Sequence, residues 1–121
     1  MVGVSADPRA FGPDPDEPDV TARAIVDELH RHPAHRVAVV FGPERTGLSV
    51  ADVARCQRLC SISGDPAAHS LNLAQAVQVV AYELRRAALA AQPAPDPGAA
   101  VAAVAPYADQ RAVEAFHEHL E

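Results

Sequence analysis

Residues 36–41 read RVAVVF, an uninterrupted and largely β-branched apolar run closed at once by Gly42-Pro43. A strand with one wet face alternates apolar and polar residues. A strand without that alternation has to be covered on both sides, as in a parallel sheet with helices packed on it. The glycine-proline pair then stops it, because proline offers no backbone donor and fixes its own φ. The run therefore predicts a strand buried on both faces, and helices must lie close by in the sequence to bury it. Residues 19–32 place Ala22, Ile25, Val26 and Leu29 on one stripe at helical spacing, with Asp19 as the expected cap and Pro33 as the stop. Ser49 with Asp52 three residues on has the form of a capping box. It opens a short helix whose Val50, Ala51 and Ala54 are expected to face inward. Residues 70–92 keep Leu73, Ala76, Val77, Val80, Leu84, Ala87 and Ala88 on one face, with Ser70 as cap and Pro93 as the end. Residues 2–5 and 59–62 read as two further short strands. Strands alternating with helices predict an α/β fold with a mostly parallel sheet.

Composition narrows what such a fold could do. The chain has 121 residues and a formal net charge of −6. A free-standing nucleic-acid binder carries a basic footprint. Here any positive charge that touches RNA must be local, with Arg45, Arg55, Arg58, Arg85 and Arg86 as candidates, or come from another chain or a missing segment. Residues 7–18 and 93–98 are rich in proline and read as loop or linker. Setting them and the tail aside leaves roughly 80 residues for a core, a size at which burial is marginal and a partner surface helps. No stretch is long and apolar enough to span a bilayer, and the first residues lack the form of a signal peptide. Cys56 and Cys60, the only two cysteines, make no disulfide framework and read as small buried apolar residues in a reducing cytoplasm. The six histidines show neither His-Glu-x-x-His nor Cys-His spacing, so no metal site is expected.

Ligands of open α/β sheets bind outside the carboxyl ends of the strands. Three segments leave such ends: Val4-Ser5-Ala6, the loop Gly42-Pro43-Glu44-Arg45-Thr46-Gly47, and residues 62–71. Each is rich in small residues that let a ligand approach the backbone. The loop at 42–47 lacks the spacing and the lysine of a phosphate-binding loop, and a plain strand-to-helix turn would look the same. Ser70, Asn72 and Gln75 lie at the start of an otherwise apolar helix. Its amino terminus could hold an anionic or polar group, or Ser70 and Asn72 could simply cap it.

Residues 37–49 (VAVVFGPERTGLS) and 70–84 (SLNLAQAVQVVAYEL) resemble, in order and spacing, the second and third conserved motifs of the SPOUT-class RNA 2′-O-methyltransferases. Within that class they are similar to the TrmH group and especially to the TrmJ-type tRNA cytidine/uridine 2′-O-methyltransferases. Residues 107–121 resemble the start of the carboxy-terminal helical extension of that type. The resemblance implies an α/β domain with a deep trefoil knot, in which the knotted region forms both the cofactor site and a homodimer interface. It implies S-adenosylmethionine as cofactor and RNA, in particular tRNA, as substrate. By position it implies cofactor contacts at Val4, Ser5, Ala6, Gly42, Ile62, His69, Ser70 and Leu71, largely through the backbone. It places Glu44 and Asn72 at polar positions that shape the active site, as supporting catalytic residues.

The arginine that activates the hydroxyl in that class lies in a first motif of Asn-x-Gly-x-x-x-Arg type, for which this sequence has no counterpart. With residues 2–5 beginning in mid-strand at Met1, the expectation is a domain truncated at its amino terminus. Residues 1–92 would be the carboxy-terminal part of the methyltransferase domain, 93–106 a linker and 107–121 the extension. Val4 stands where threonine is common and Asp7 where arginine is common, and the acid at 7 should weaken RNA contact. Three readings stay open: a fragment of such an enzyme, a non-catalytic module or inactive remnant that binds the cofactor or dimerises, or a poorly folded chain whose sheet has lost strands and exposes an edge.

Overall fold

A computed structural model of the chain describes residues 1–5, 12–64, 71–94 and 114–115. Four short strands, β1 (Val2–Val4), β2 (Pro15–Asp16), β3 (Val39–Phe41) and β4 (Arg58–Cys60), form one sheet in the order β2-β4-β1-β3. Every pairing is parallel, with Val2↔Val39, Val2↔Arg58 and Pro15↔Leu59 setting the registers. Three helices, α1 (Pro18–Arg31), α2 (Val50–Arg55) and α3 (Leu73–Ala90), complete the described structure. This is the α/β architecture with a mostly parallel sheet that the sequence predicts.

The two-residue period of the strands sorts the core into two layers. Val2 and Val4 of β1, with Cys60 of β4, face Ile25 of α1 and Val80 of α3, and Leu29, Val39, Phe41, Ile62 and Leu84 pack around them. Leu59, one residue out of phase with Cys60, faces the other way. It packs with Leu48, Val53 and Cys56 beside Val40. Gly3 lies on that second face. A Cβ there would stand 2.9 Å from both Cys56 Sγ and Leu48 Cδ1, so the α2 layer rests directly on the backbone of the central strand. Both cysteines are free and buried, as expected, and burial pushes the Cys60 thiol above its ordinary pKa.

Several expectations are corrected. α1 is capped by position only: Glu17 precedes it without a side-chain cap, Pro18 occupies the first turn, and Asp19 instead pairs with Arg23 at 3.0 Å. The apolar stripe of α1 is as predicted, with Ala22, Ile25 and Val26 buried. β3 covers only the last three residues of the 36–41 run and is half-buried, not buried, because among the described residues only β1 pairs with it. β4 lies at 58–60, not 59–62. β2, in a stretch read as loop, is a two-residue edge strand. Edges tolerate proline, since a missing N–H on the outer side breaks no ladder. It is held by the Ser61 N–H donating to the Asp16 carbonyl at 2.9 Å and by an Arg58–Asp16 ion pair.

The capping box of α2 is present. The Asp52 N–H donates to Ser49 Oγ at 3.1 Å, and the Ser49 N–H donates to Asp52 Oδ2 at 3.0 Å. The residue that α2 turns inward is Val53, however, while Ala51, Ala54 and Val50 are exposed. α3 begins after Asn72. Its apolar arc is only partly covered: Val80 is buried in the first core layer with Leu84 packed beside it, Ala76 and Ala87 are half-buried, and Leu73, Val77 and Ala88 are exposed. Ala6, Asp7, His69 and Ser70 lie outside the described residues, as does most of 93–121. No helix among the described residues is long and apolar enough to cross a membrane.

Candidate functional site

Because β1, β3 and β4 run parallel with Val4 level with both Phe41 and Cys60, their carboxyl ends reach the same edge of the sheet. Ser5, Gly42 and Ser61 leave that edge side by side. The Ser5 N–H donates to the Cys60 carbonyl at 2.9 Å, which extends the β1–β4 ladder by one rung. Val4 is 9% exposed, so its side chain belongs to the core and only its backbone can face a ligand. Ile62, half-buried, packs against the first core layer.

The loop from Gly42 to Gly47 folds back onto its own start. A Cβ on Gly42 would stand 2.2 Å from the Gly47 carbonyl carbon and 2.3 Å from the Leu48 nitrogen. Backbone therefore crosses where a side chain would be. Gly47 makes the return possible with a φ of 63°, a region that costs a side-chain-bearing residue energy. The Gly47 N–H donates to the Pro43 carbonyl at 2.8 Å, and Leu48, 2% exposed, anchors the loop in the second core layer. Gly42 stands out in the sequence, but its dependence on Gly47 and Leu48 does not. The available signal was the second glycine five residues on, followed by a leucine.

The first turn of α3 faces this loop. Asn72 Oδ1 accepts from the Ala74 N–H at 2.9 Å, and Glu44 Oε1, reaching over from the loop, accepts from the Leu73 N–H at 3.3 Å. An acid at a helix amino terminus is favoured by the helix dipole. Asn72 caps the helix, and the Leu73 and Ala74 amides are engaged by the chain's own carboxylate and amide oxygens, while Ser70 lies outside the described residues. Leu71, 44% exposed, precedes the cap.

Of the residues singled out from sequence, Val4, Ser5, Gly42 and Ile62 meet at the carboxyl edge of the sheet, and Glu44, Leu71 and Asn72 meet at the start of α3. Ala6, His69 and Ser70 lie outside the described residues. The walls are backbone, small residues and exposed or half-buried aliphatics, with an acid in the adjoining loop contact. A groove of about 700 Å³ lies at the opposite edge, lined in part by Met1, Glu28, His35, Arg36 and Arg58, at the amino ends of the strands. Among the described residues no group of three His, Cys, Asp or Glu side chains is placed to hold a metal ion.

Residues 12–82 match the SpoU rRNA Methylase family. The chain is 47% identical over 85 residues to the tRNA (cytidine/uridine-2′-O-)-methyltransferase TrmJ of Klebsiella pneumoniae, covering 70% of this chain and 34% of that protein. It is 45% identical over 85 residues to the protein of the same name from Cronobacter sakazakii, with the same coverage. Among solved structures it is similar to a probable methyltransferase from Bordetella pertussis Tohama I, with TM-score 0.65 and 37% identity over 73% of this chain and 52% of that one. It is also similar to TrmJ from Z. mobilis ZM4, with TM-score 0.59 and 30% identity over 98% of this chain and 45% of that one. The chain spans about a third of the length of the curated relatives it matches. The matched stretch holds the self-closing loop and the first turns of α3 together with three of the four strands, and on that match the chain belongs to the SpoU rRNA methylase family.

Proposed function

We propose that the chain is the carboxy-terminal part of an S-adenosylmethionine-dependent tRNA ribose 2′-O-methyltransferase and carries its cofactor site. The observation that supports this most is the meeting of Val4-Ser5, Gly42 and Ile62 at one edge of a parallel sheet, with the Glu44-linked start of α3 beside them. When bound, S-adenosylmethionine supplies a methyl group made electrophilic by its sulfonium. In this reading the backbone at Val4, Ser5 and Gly42, with Ala6, His69 and Ser70, orients that molecule. Ile62 and Leu71 exclude water from its apolar surface, and Glu44 and Asn72 shape the pocket as supporting residues. A ribose 2′-hydroxyl becomes a competent nucleophile only as its proton is removed, so the reaction needs a positioned base and in-line geometry. No described residue is assigned as that base.

The same proposal includes a trefoil knot closed by α3, a homodimer through the knotted region and a cytoplasmic setting. It takes residues 1–92 as the methyltransferase part, 93–106 as linker and 107–121 as the start of a helical extension. The exposed half of the α3 apolar arc, Leu73 and Val77, is consistent with a second subunit. A second reading, a module that binds the cofactor without catalysing transfer, is favoured by one observation: Glu44 and Asn72 both direct an oxygen to α3 amides, away from a proton-accepting role. Titration calorimetry of the folded chain with S-adenosylmethionine tests the site, with saturable binding near one per chain expected. A cooperatively folded chain that takes up none would overturn the proposal. Methyl incorporation into tRNA above background would remove the second reading.

A further inference from the structure

We infer that Glu44 is a positioning residue whose carboxylate sets the separation between the 42–47 loop and the first turn of α3. What fills the gap between these two walls rests on the proposed cofactor site; the contact itself does not. The loop behaves as one rigid piece, because Gly42 leaves no room for a Cβ, Gly47 takes the left-handed return and its N–H closes on the Pro43 carbonyl. Leu48 ties that piece to the second core layer. α3 is tied to the first core layer through Val80 and Leu84. The loop's start shares an anchor with α3, because Phe41 packs in that same first layer, but beyond Gly42 the loop is held by Leu48 on the opposite face of the sheet. Glu44 spans 29 positions of sequence to join loop and helix. Helix initiation does not require it, since Asn72 already satisfies the Ala74 amide. Its addition is a charge-assisted hydrogen bond between walls, aligned with the helix dipole.

An acceptor role and a charge role separate in two substitutions. Glu44→Gln keeps an oxygen that can accept from Leu73 and removes the charge, and Glu44→Ala removes both. The Glu44 side chain is exposed, so both variants should fold. Amide hydrogen exchange on the 121-residue chain, read residue by residue, is paired with calorimetric titration by S-adenosylmethionine. Glu44→Ala is expected to speed exchange at Leu73 by about tenfold and leave Ala74 nearly unchanged, and Glu44→Gln to recover most of that protection. Cofactor affinity should fall about tenfold in Glu44→Ala and stay within about threefold of the parent in Glu44→Gln. Unchanged exchange at Leu73 in Glu44→Ala overturns the inference. So does a Glu44→Gln variant that keeps Leu73 protected yet binds as weakly as Glu44→Ala, because the charge would then act on the ligand directly. If the parent chain binds no S-adenosylmethionine, the cofactor reading fails, and the exchange comparison still decides the contact.

Discussion

At Gly42 the absence of a side chain fixes the course of the whole loop, since the carbonyl carbon of Gly47 lies where a Cβ would be. Gly42→Ala should therefore cost about 1–3 kcal/mol or more, as overpacking against backbone does, and abolish any cofactor binding. Denaturant unfolding and calorimetry on the same variant check both. Glu28 carries a different kind of information. The hydrogen bond from His35 Nδ1 at 2.7 Å, aided by the charges of His32 and Arg31, holds its carboxyl below the usual carboxylate range. A carboxyl lower in the folded than in the unfolded chain stabilises above its unfolded pKa, about 4, and loses that contribution as pH falls through its folded value. His35→Ala is accordingly expected to move the acid limb of the stability curve to higher pH, as measured by unfolding at a series of pH values below about 5. An unmoved limb would mean that the pair has no part in acid stability. Individual residues such as Gly42 and Asn72 stand out in the sequence because glycine and asparagine have few other reasons to occupy those places. The pairing of Glu44 with Leu73 was not legible, because a contact between residues so far apart in sequence leaves no local pattern.

Among the elements, α3 shows most clearly what periodicity can and cannot tell. Its spacing announces an apolar face, and the face is there, but only one half of the arc is covered. Val80 is 4% exposed and Val77 42%. Val80→Ala should cost about 1–3 kcal/mol. Val77→Ala should change the stability of the monomer by no more than about 0.5 kcal/mol. Equal losses in dilute chain would show that a second surface already covers Val77. The β3 run was legible because four valines and alanines in a row before phenylalanine and glycine permit little else, yet its burial was overstated. Coverage depends on which strand lies alongside, and RVAVVF does not encode its neighbours. β2 was hidden for the opposite reason. Two residues, one of them proline, have no period, and their pairing with β4 is an edge contact sustained by Asp16 and Arg58. In α2 the capping box fixed the start correctly, but a helix of six residues is too short for its alanines to reveal which side is inward.

For the molecule as a whole, the net charge of −6 sets an expectation about RNA. Affinity for a polyanion grows with the number of phosphates neutralised, and so does its salt dependence. The chain alone should bind tRNA weakly and with a shallow dependence on salt, measured by filter binding between about 50 and 200 mM salt. A steep slope would reveal a basic surface that these arginines do not suggest. At this scale the sequence carried the α/β class and the family resemblance, because both rest on the order of elements and on two local motifs. Which face each helix covers, and what crosses between the layers, came only with the structure. The self-closing loop has a last consequence. Its shape is set by backbone sterics at Gly42 and Gly47 and by burial of Leu48, so the entropy of ordering that wall is lost when the chain folds. Preorganisation of this kind favours affinity by removing a cost from the encounter. In the proposed cofactor site such a wall would also be unforgiving: a bulkier ligand would be accommodated only by dislodging Leu48 from the core.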